Sequence, residues 1–203
     1  MKKALIIIGL TIFVFSTVKA QKEINFGIKG GINFSNMTSD YFAENNSKTG
    51  FNIGVIAEIP MGDKFSIQPE ILYSTQGADV KIKMNGGGPL LTKYSLNYIL
   101  IPVLAKVYFS NNWSIDFGPS FNFLINDKAF RPTLPDIIDG SDIISQKNAD
   151  ANGKNFELSG VIGLSYKFNG RFFGSARYIQ GLTDSVESDT KNSGFQLGVG
   201  YIF

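Results

Sequence analysis

The chain has 203 residues and a formal net charge of +2, with 22 glycines, 18 phenylalanines, no cysteine and no histidine. This length suffices for one domain with a core, and the excess of glycine and aromatic residues favours β structure. A nearly neutral chain gives no basis for nucleic-acid binding through phosphate neutralisation. The missing Cys and His exclude disulfides, thiol nucleophiles, Ser-His triads and His-ligated metals.

The beginning of the chain carries the pattern of an export signal. Two lysines precede an apolar stretch at 4–15, and the segment 16–20 ends in Val18-Lys19-Ala20, which has the pattern of a small-residue cleavage site. We therefore expect a cleavable signal peptide at 1–20 and one mature domain at 21–203. An uncleaved membrane anchor is the alternative, but a spanning helix needs about 20 apolar residues, more than this stretch offers.

Apolar and polar residues then alternate with period two along most of the chain, which is the pattern of half-buried strands. Eight strands are predicted, at 23–34, 51–59, 65–74, 98–109, 113–123, 156–168, 171–178 and 195–203. Beyond Gly77 the apolar positions change phase to Val80 and Ile82, which predicts a bulge or a strand end. The Asn169-Gly170 pair is typical of a hairpin turn.

Three prolines fall inside the predicted strands, at Pro69, Pro102 and Pro119. Proline has no backbone N–H to donate to a neighbouring strand, and a closed barrel offers no free edge on which to place it. We therefore expect these three residues at bulges or at the rim of the sheet.

One face of the predicted strands is apolar and free of charge, whereas the other carries acids and bases in balance. This combination is typical of a transmembrane β-barrel, whose outer face meets lipid, while a soluble barrel would show the inverse. The predicted interior charge cluster consists of Lys29, Glu58, Glu70, Lys106, Asp116, Glu157, Lys167 and Arg177, with Glu23 and Arg171 on the same face. Because buried charges need partners, we expect a mutually neutralising core, with a conduit lining or a ligand site as alternatives.

The connections between strands also alternate in length. Short links are predicted at 60–64, 110–112 and 169–170, and long polar links at 35–50, 75–93, 124–154 and 181–194. Short periplasmic turns and long external loops are typical of outer-membrane barrels, and eight strands enclose room only for side chains. The expected fold is an all-β, eight-stranded, antiparallel up-and-down transmembrane barrel with a packed polar interior and no open channel.

The longest predicted loop holds Asp136, Asp139 and Asp142, and then Asn148, Asp150 and Asn152 followed by Gly153, a spacing that resembles the first half of a calcium loop. Such a loop needs a glutamate at its twelfth position, where this chain has Ser159. We therefore expect a solvated loop, and no metal site, cofactor site or catalytic residue in the chain.

Several segments of the chain resemble one group of proteins. These segments are 26–34, 97–106, Gly118-Pro119, 181–184 and 198–203. Together they resemble the PorT-like outer-membrane β-barrel proteins of Gram-negative bacteria, often given a porin-family label, over essentially the whole mature chain. That family usually has a glutamate where this chain has Leu100, so an interior pair between that glutamate and Lys106 is not carried over.

The resemblance implies a monomer in outer-membrane lipid that is exported with the help of periplasmic chaperones and the barrel-assembly machinery. Tyr201 and the terminal Phe203 resemble the signal that this machinery reads. The function we expect is a non-enzymatic barrel with a structural or surface-interaction role, whose external loops contact an unidentified extracellular or envelope partner. Alternatives are a narrow porin or solute conduit, an accessory component of a protein-secretion system and, last, a lipid-modifying enzyme.

Overall fold

The computed structural model describes residues 23–39, 42–82, 90–132, 146–149, 153–186 and 190–203, and the predicted signal peptide at 1–20 lies outside these ranges. The strands in chain order are β1 (Asn25–Thr38), β2 (Phe42–Pro60), β3 (Phe65–Ile82), β4 (Leu90–Tyr108), β5 (Trp113–Pro132), β6 (Gln146–Ala149), β7 (Phe156–Asn169), β8 (Phe172–Gly181) and β9 (Lys191–Ile202). The described residues include no helix long and apolar enough to cross a membrane.

Eight of these strands close into a barrel. Strands β1 to β5 pair in chain order, β5 pairs with β7, and β7 to β9 again pair in order. β9 closes the sheet onto β1 through a ladder that runs from Gly27–Ile202 to Thr38–Lys191. All of these pairings are antiparallel, so the predicted up-and-down barrel of eight strands is confirmed. β6 is a short addition beside the last residues of β5.

The barrel has two different ends. The short connections, at 61–64, 109–112 and 170–171, lie at one end together with the start of β1 and the end of β9; we call this the turn end. The longer connections lie at the opposite end, which we call the loop end. Gly170 has a φ of +39°, the left-handed conformation that glycine adopts most readily, and it forms the hairpin predicted at Asn169-Gly170.

Two charged residues lie elsewhere than the alternation predicts. Arg171 is in the turn between β7 and β8, and Glu23 precedes β1; both are exposed rather than inside the barrel. A period-two pattern assigns a side chain to a face only where the residue belongs to a paired strand. It therefore fails in a turn and at the entry to the first strand.

The strands near the loop end are longer than predicted. β2 begins at Phe42, β3 ends at Ile82, β4 begins at Leu90 and β5 ends at Pro132. Much of the first three predicted long loops is therefore strand. The alternation of apolar and polar residues ends toward the loop end, because outward side chains that meet water need not be apolar. The backbone ladder between neighbouring strands continues past that level.

The bulge or strand end predicted in β3 near Gly77 is wrong, because β3 continues through Gly77 without a change of phase. The inward positions of β3 stay on even numbers, so Ala78 and Val80 are buried inside the barrel. An irregularity does lie nearby, but it is in β2, where residues 48–51 face the shorter segment 75–77 of β3. The apolar residues change phase because the interior itself becomes apolar at this level.

The three prolines neither form bulges nor lie at the rim. On both sides of Pro69, Pro102 and Pro119 the ladder keeps the same register, and only the two residue pairs around each proline are missing from it. Each proline still pairs with the strand on its other side, as Pro69 does with Val103. A second partner strand thus holds the register where the proline donates no hydrogen bond.

The outer face is apolar and the inner face is packed. Phe26, Ile53 and Val199 project outward with exposed fractions of 59%, 59% and 67%. Charged and amide side chains fill the interior nearer the turn end, where the expectation of a polar core holds. Nearer the loop end lies a group that we call the apolar cluster: Met37, Leu72, Ala78, Val80, Tyr94, Leu96, Tyr98, Leu100, Ala129 and Val186.

Candidate functional site

Five charged side chains from five different strands meet inside the barrel, and we call them the central cluster: Lys29, Glu70, Lys106, Asp116 and Arg177. Arg177 binds the Glu70 carboxylate with both terminal nitrogens, Nη1 to Oε2 and Nη2 to Oε1, each at 2.8 Å. Its Nη2 also lies 3.5 Å from Asp116 Oδ2. Lys29 Nζ is 3.6 Å from Glu70 Oε2. Lys106 Nζ is 3.6 Å from Asp116 Oδ1, the residue opposite it in the β4–β5 ladder.

Neutral donors complete the surroundings of the two carboxylates. Gln68 Nε2 donates to Glu70 Oε1 at 2.5 Å. Ser114 Oγ donates to Asp116 Oδ1 at 2.8 Å, and Ser165 Oγ donates to Asp116 Oδ2. No member of the central cluster has an exposed fraction above 3%. Lys29 Nζ and Arg177 Nε are buried without a hydrogen-bond partner, but every charge of the cluster has an oppositely charged group within 3.6 Å. Because buried charges need such partners, this arrangement makes the cluster a structural core.

A second ion pair lies at the turn end. Lys167 Nζ is 3.1 Å from Glu58 Oε2. Glu58 Oε1 accepts hydrogen bonds from the Tyr108 hydroxyl at 2.5 Å and from Ser66 Oγ at 3.1 Å. This pair forms the floor of an open cavity of about 620 Å³, which the residues of the turns, including Lys64, also line. The cavity ends at the ion pair, since Glu58 is 2% exposed.

Glu157 lies apart from the other predicted charges. Its carboxylate accepts hydrogen bonds from Ser159 Oγ at 2.8 Å, Asn122 Nδ2 at 3.4 Å and the Tyr98 hydroxyl at 3.5 Å. Among the described residues no Lys or Arg nitrogen lies within 4.0 Å of it. The structure therefore brings together the central cluster and the pair Glu58–Lys167, and it places Glu157 beside the apolar cluster.

Amide side chains form a further layer between the central cluster and the loop end. The sequence pattern placed these residues on the inward face but did not indicate their contacts with one another. Asn52 Nδ2 donates to Asn33 Oδ1 at 2.5 Å, and Asn33 Nδ2 donates to Ser74 Oγ at 2.8 Å. The apolar cluster follows, with Leu96 and Tyr98 fully buried. Over the described ranges, side chains fill the interior from the floor of the open turn-end cavity to the loop end, whereas an aqueous channel would leave its lining exposed.

The structure offers no metal centre in the part that it describes. Within those ranges, no group of three or more Asp and Glu side chains is placed to hold an ion. The acids of the calcium-like segment, Asp136, Asp139, Asp142 and Asp150, lie outside the described residues.

The predicted assembly signal lies at the turn end. Phe203 follows β9 with an exposed fraction of 70%, and its N–H donates to the Phe26 carbonyl at 2.8 Å. The ring of Tyr201 lies 5.9 Å from the ring of Phe203, centroid to centroid. Both aromatic side chains are therefore on the outer face, next to the seam at which β9 closes onto β1.

Comparison with known proteins assigns the chain to a family. A family model described as "Outer membrane protein beta-barrel domain" matches residues 19–187. The chain belongs to this family. Among proteins with curated descriptions, none matches the chain. The narrower PorT-like grouping within the outer-membrane barrels stays a prediction.

Solved structures of other outer-membrane barrels share the fold. Ail, the attachment invasion locus protein of Yersinia pestis, was solved in complex with the heparin analogue sucrose octasulfate; it is 16% identical, with a TM-score of 0.55 over 90% of this chain and 100% of that chain. Neisserial surface protein A is 14% identical, with a TM-score of 0.56 over the same 90% and 100%. At these identities the likeness shows the fold alone.

Membership in the outer membrane β-barrel family places the protein in the outer membrane, with its apolar face in lipid. The family and the similar structures are outer-membrane barrels. Short turns face the periplasm in such barrels and longer loops face outward. The turn end is therefore periplasmic and the loop end external.

Proposed function

We propose that this barrel is a surface-interaction and structural protein of the outer membrane, and that its closed interior passes no solute. The observation that carries the proposal is the central cluster, because its charges are paired with one another and almost entirely shielded from water. Charges that line a conduit would face the aqueous pathway. The amide layer and the apolar cluster add two further closed levels above them.

The strands that rise past the apolar band supply the surface for interaction. The outward positions of β4 change from Ile101 and Ile99 to Asn97, Ser95 and Lys93 toward the loop end. The outward positions of β3 make the same change after Tyr73, to Thr75, Asp79 and Lys81, whereas β5 still exposes Ile125 beyond Phe123. Above the level of Tyr73 and Ile99, β3 and β4 form a polar wall, and the ladder between them gives external contacts a rigid base.

Single-cysteine labelling tests this surface assignment, because the native chain has no cysteine. Lys93→Cys, on the wall, should react with a membrane-impermeant maleimide in intact cells. Gly62→Cys, in an exposed turn at the other end, should react only after the outer membrane is permeabilised. Labelling of Gly62→Cys but not Lys93→Cys in intact cells would contradict the assignment.

Liposome swelling tests the closed interior. Vesicles that contain the folded barrel should swell in small sugars no faster than empty vesicles, whereas vesicles with a general porin should swell quickly. Swelling that increases with the amount of folded barrel would favour a solute conduit instead.

We further infer that Tyr201 and Phe203 act as the assembly signal, supported by their exposure beside the closing seam. Deletion of Phe203 should lower the amount of folded barrel in cells, measured as the fraction that migrates differently on a denaturing gel before and after boiling. Refolding of the same purified variant into detergent should stay normal. A normal amount of folded protein in cells would oppose the inference.

A further inference from the structure

An apolar groove lies on the lipid-facing wall, nearer the turn end than the loop end. Its volume is about 510 Å³. The side chains that line it belong to β1, β2, β8 and β9: Ile28, Ile53, Val55, Phe172, Val199 and Tyr201. The groove opens outward, so in the membrane it faces the acyl chains of the surrounding lipid.

Glycine at an outward position opens the groove. Gly30 of β1 lines it and pairs with Val199 of β9. Val199 therefore stands as a ridge, with an exposed fraction of 67%. A Cβ atom on Gly30 would meet no heavy atom closer than 3.7 Å beyond its chain neighbours. The local backbone does not demand glycine here, so the groove is free space that a larger side chain would fill.

A cation lies where the groove approaches the periplasmic interface. Arg171, in the exposed turn between β7 and β8, donates from Nη1 to the Tyr201 hydroxyl at 3.0 Å. Tyr201 in turn lines the groove and stacks edge-on against Phe172, with 4.8 Å between ring centroids. Tyrosine and arginine at this depth lie at the level of lipid headgroups. The other N–H groups of the guanidinium can bind a phosphate.

We propose that this groove is a binding site for one anionic phospholipid of the periplasmic leaflet, with an acyl chain on Gly30 and the phosphate at Arg171. The two ends of the site match the two ends of that molecule: an apolar trough that faces the bilayer, and an arginine at its interfacial mouth. Charge complementarity selects an anionic phospholipid over a zwitterionic one. The site is independent of whether the barrel conducts solutes.

Native mass spectrometry of the detergent-refolded barrel tests the proposal, with phosphatidylglycerol and phosphatidylcholine as probes. The native barrel should retain one phosphatidylglycerol, and phosphatidylcholine should be retained more weakly. Arg171→Gln should weaken phosphatidylglycerol retention about tenfold by removing a charge-assisted hydrogen bond. Gly30→Leu should weaken the retention of both lipids by filling the trough.

Two variants serve as matched controls. Lys64→Gln removes another exposed cation from a turn at the same end, and Ala176→Leu adds apolar volume at another outward position. Both should retain phosphatidylglycerol as the native barrel does, and heat-modifiable migration should show that every variant is folded. Equal retention by native barrel and Arg171→Gln would overturn the proposal, as would an equal loss in Lys64→Gln. If Gly30→Leu does not fold, the comparison of phosphatidylglycerol retention by Arg171→Gln and Lys64→Gln still tests the proposal.

Discussion

The two halves of the interior close the barrel by opposite means. Nearer the turn end, three basic groups of the central cluster form ion pairs with two acidic groups across the lumen. Nearer the loop end, the same strands supply the apolar cluster, and β3 passes from Glu70 to Leu72 in one inward step. The inward face of a membrane strand is thus constrained by its partners in the lumen rather than by lipid. Both ion pairing and apolar packing can therefore close the lumen.

The two chemistries should fail differently. Removal of one charge from the central cluster leaves another charge buried without a partner, whereas removal of an apolar side chain leaves a cavity. Urea unfolding in lipid vesicles measures the loss of stability at each site from the centre of the barrel to its surface, and the single tryptophan, Trp113, gives the fluorescence signal.

The largest effect is expected at Arg177. Arg177→Met should lower the free energy of unfolding by about 3–5 kcal/mol, because Glu70 and Asp116 would lose their shared partner in a buried site. Arg177→Lys keeps the charge but not the bidentate geometry, and it should lose less. The pair Arg177→Met with Glu70→Gln should lose less than the sum of the single changes. Strict additivity would argue that the two groups do not interact.

The apolar cluster should show a smaller effect of another kind. Leu72→Ala should lower the free energy of unfolding by about 3 kcal/mol, since the fully buried side chain would leave a cavity. Leu72→Met conserves volume and should lose less than about 1.5 kcal/mol. Equal losses in both variants would indicate that packing volume does not determine stability at this level.

The ion pair at the turn end should matter less. Lys167→Met should lower the free energy of unfolding by about 1 kcal/mol, because Glu58 keeps its hydrogen bonds from Tyr108 and Ser66 and lies beside an open cavity. Lys64→Met, at another lysine of the same cavity, is the matched control and should change little. A loss as large as that of Arg177→Met would mean that the turn end, not the centre, carries the interior electrostatics.

The smallest effect is expected on the external wall. Lys93 Nζ lies 3.7 Å from Asp79 Oδ2, with exposed fractions of 57% and 37% for the two side chains. Such a pair contributes about 0–1 kcal/mol and is screened by salt. Lys93→Gln should therefore change the free energy of unfolding by less than about 0.5 kcal/mol. A larger loss that persists at high salt would assign the wall a structural role.

The part of the fold that could be predicted from the sequence is the part in which the outward side chains must be apolar because they meet lipid. Positions such as Ile28, Ile53 and Val199 meet hydrocarbon, so their alternation with inward residues gave both the strands and the inward charges. Above the level of Tyr73 and Ile99 the outer face meets water, and the apolar signal ends although the strands continue. The extended ends of β2 to β5 were missed for that reason.

Partners inside the lumen were harder to predict. Lys106 and Asp116 lie opposite each other in one hairpin, so register alone could have paired them. Arg177 and Glu70 belong to β8 and β3, which are not neighbours, and their contact depends on the curvature of the closed barrel. Val80 was misjudged because an apolar inward residue resembles a phase change when the interior is assumed to be polar throughout.

The closure of the interior is tested most directly by planar-bilayer recording from the folded, heat-modifiable native barrel, with a general porin as the positive control. We expect no discrete conductance steps, because the paired charges of the central cluster and the fully buried Leu96 and Tyr98 fill the lumen. Reproducible steps whose frequency rises with the amount of folded barrel would contradict a closed interior.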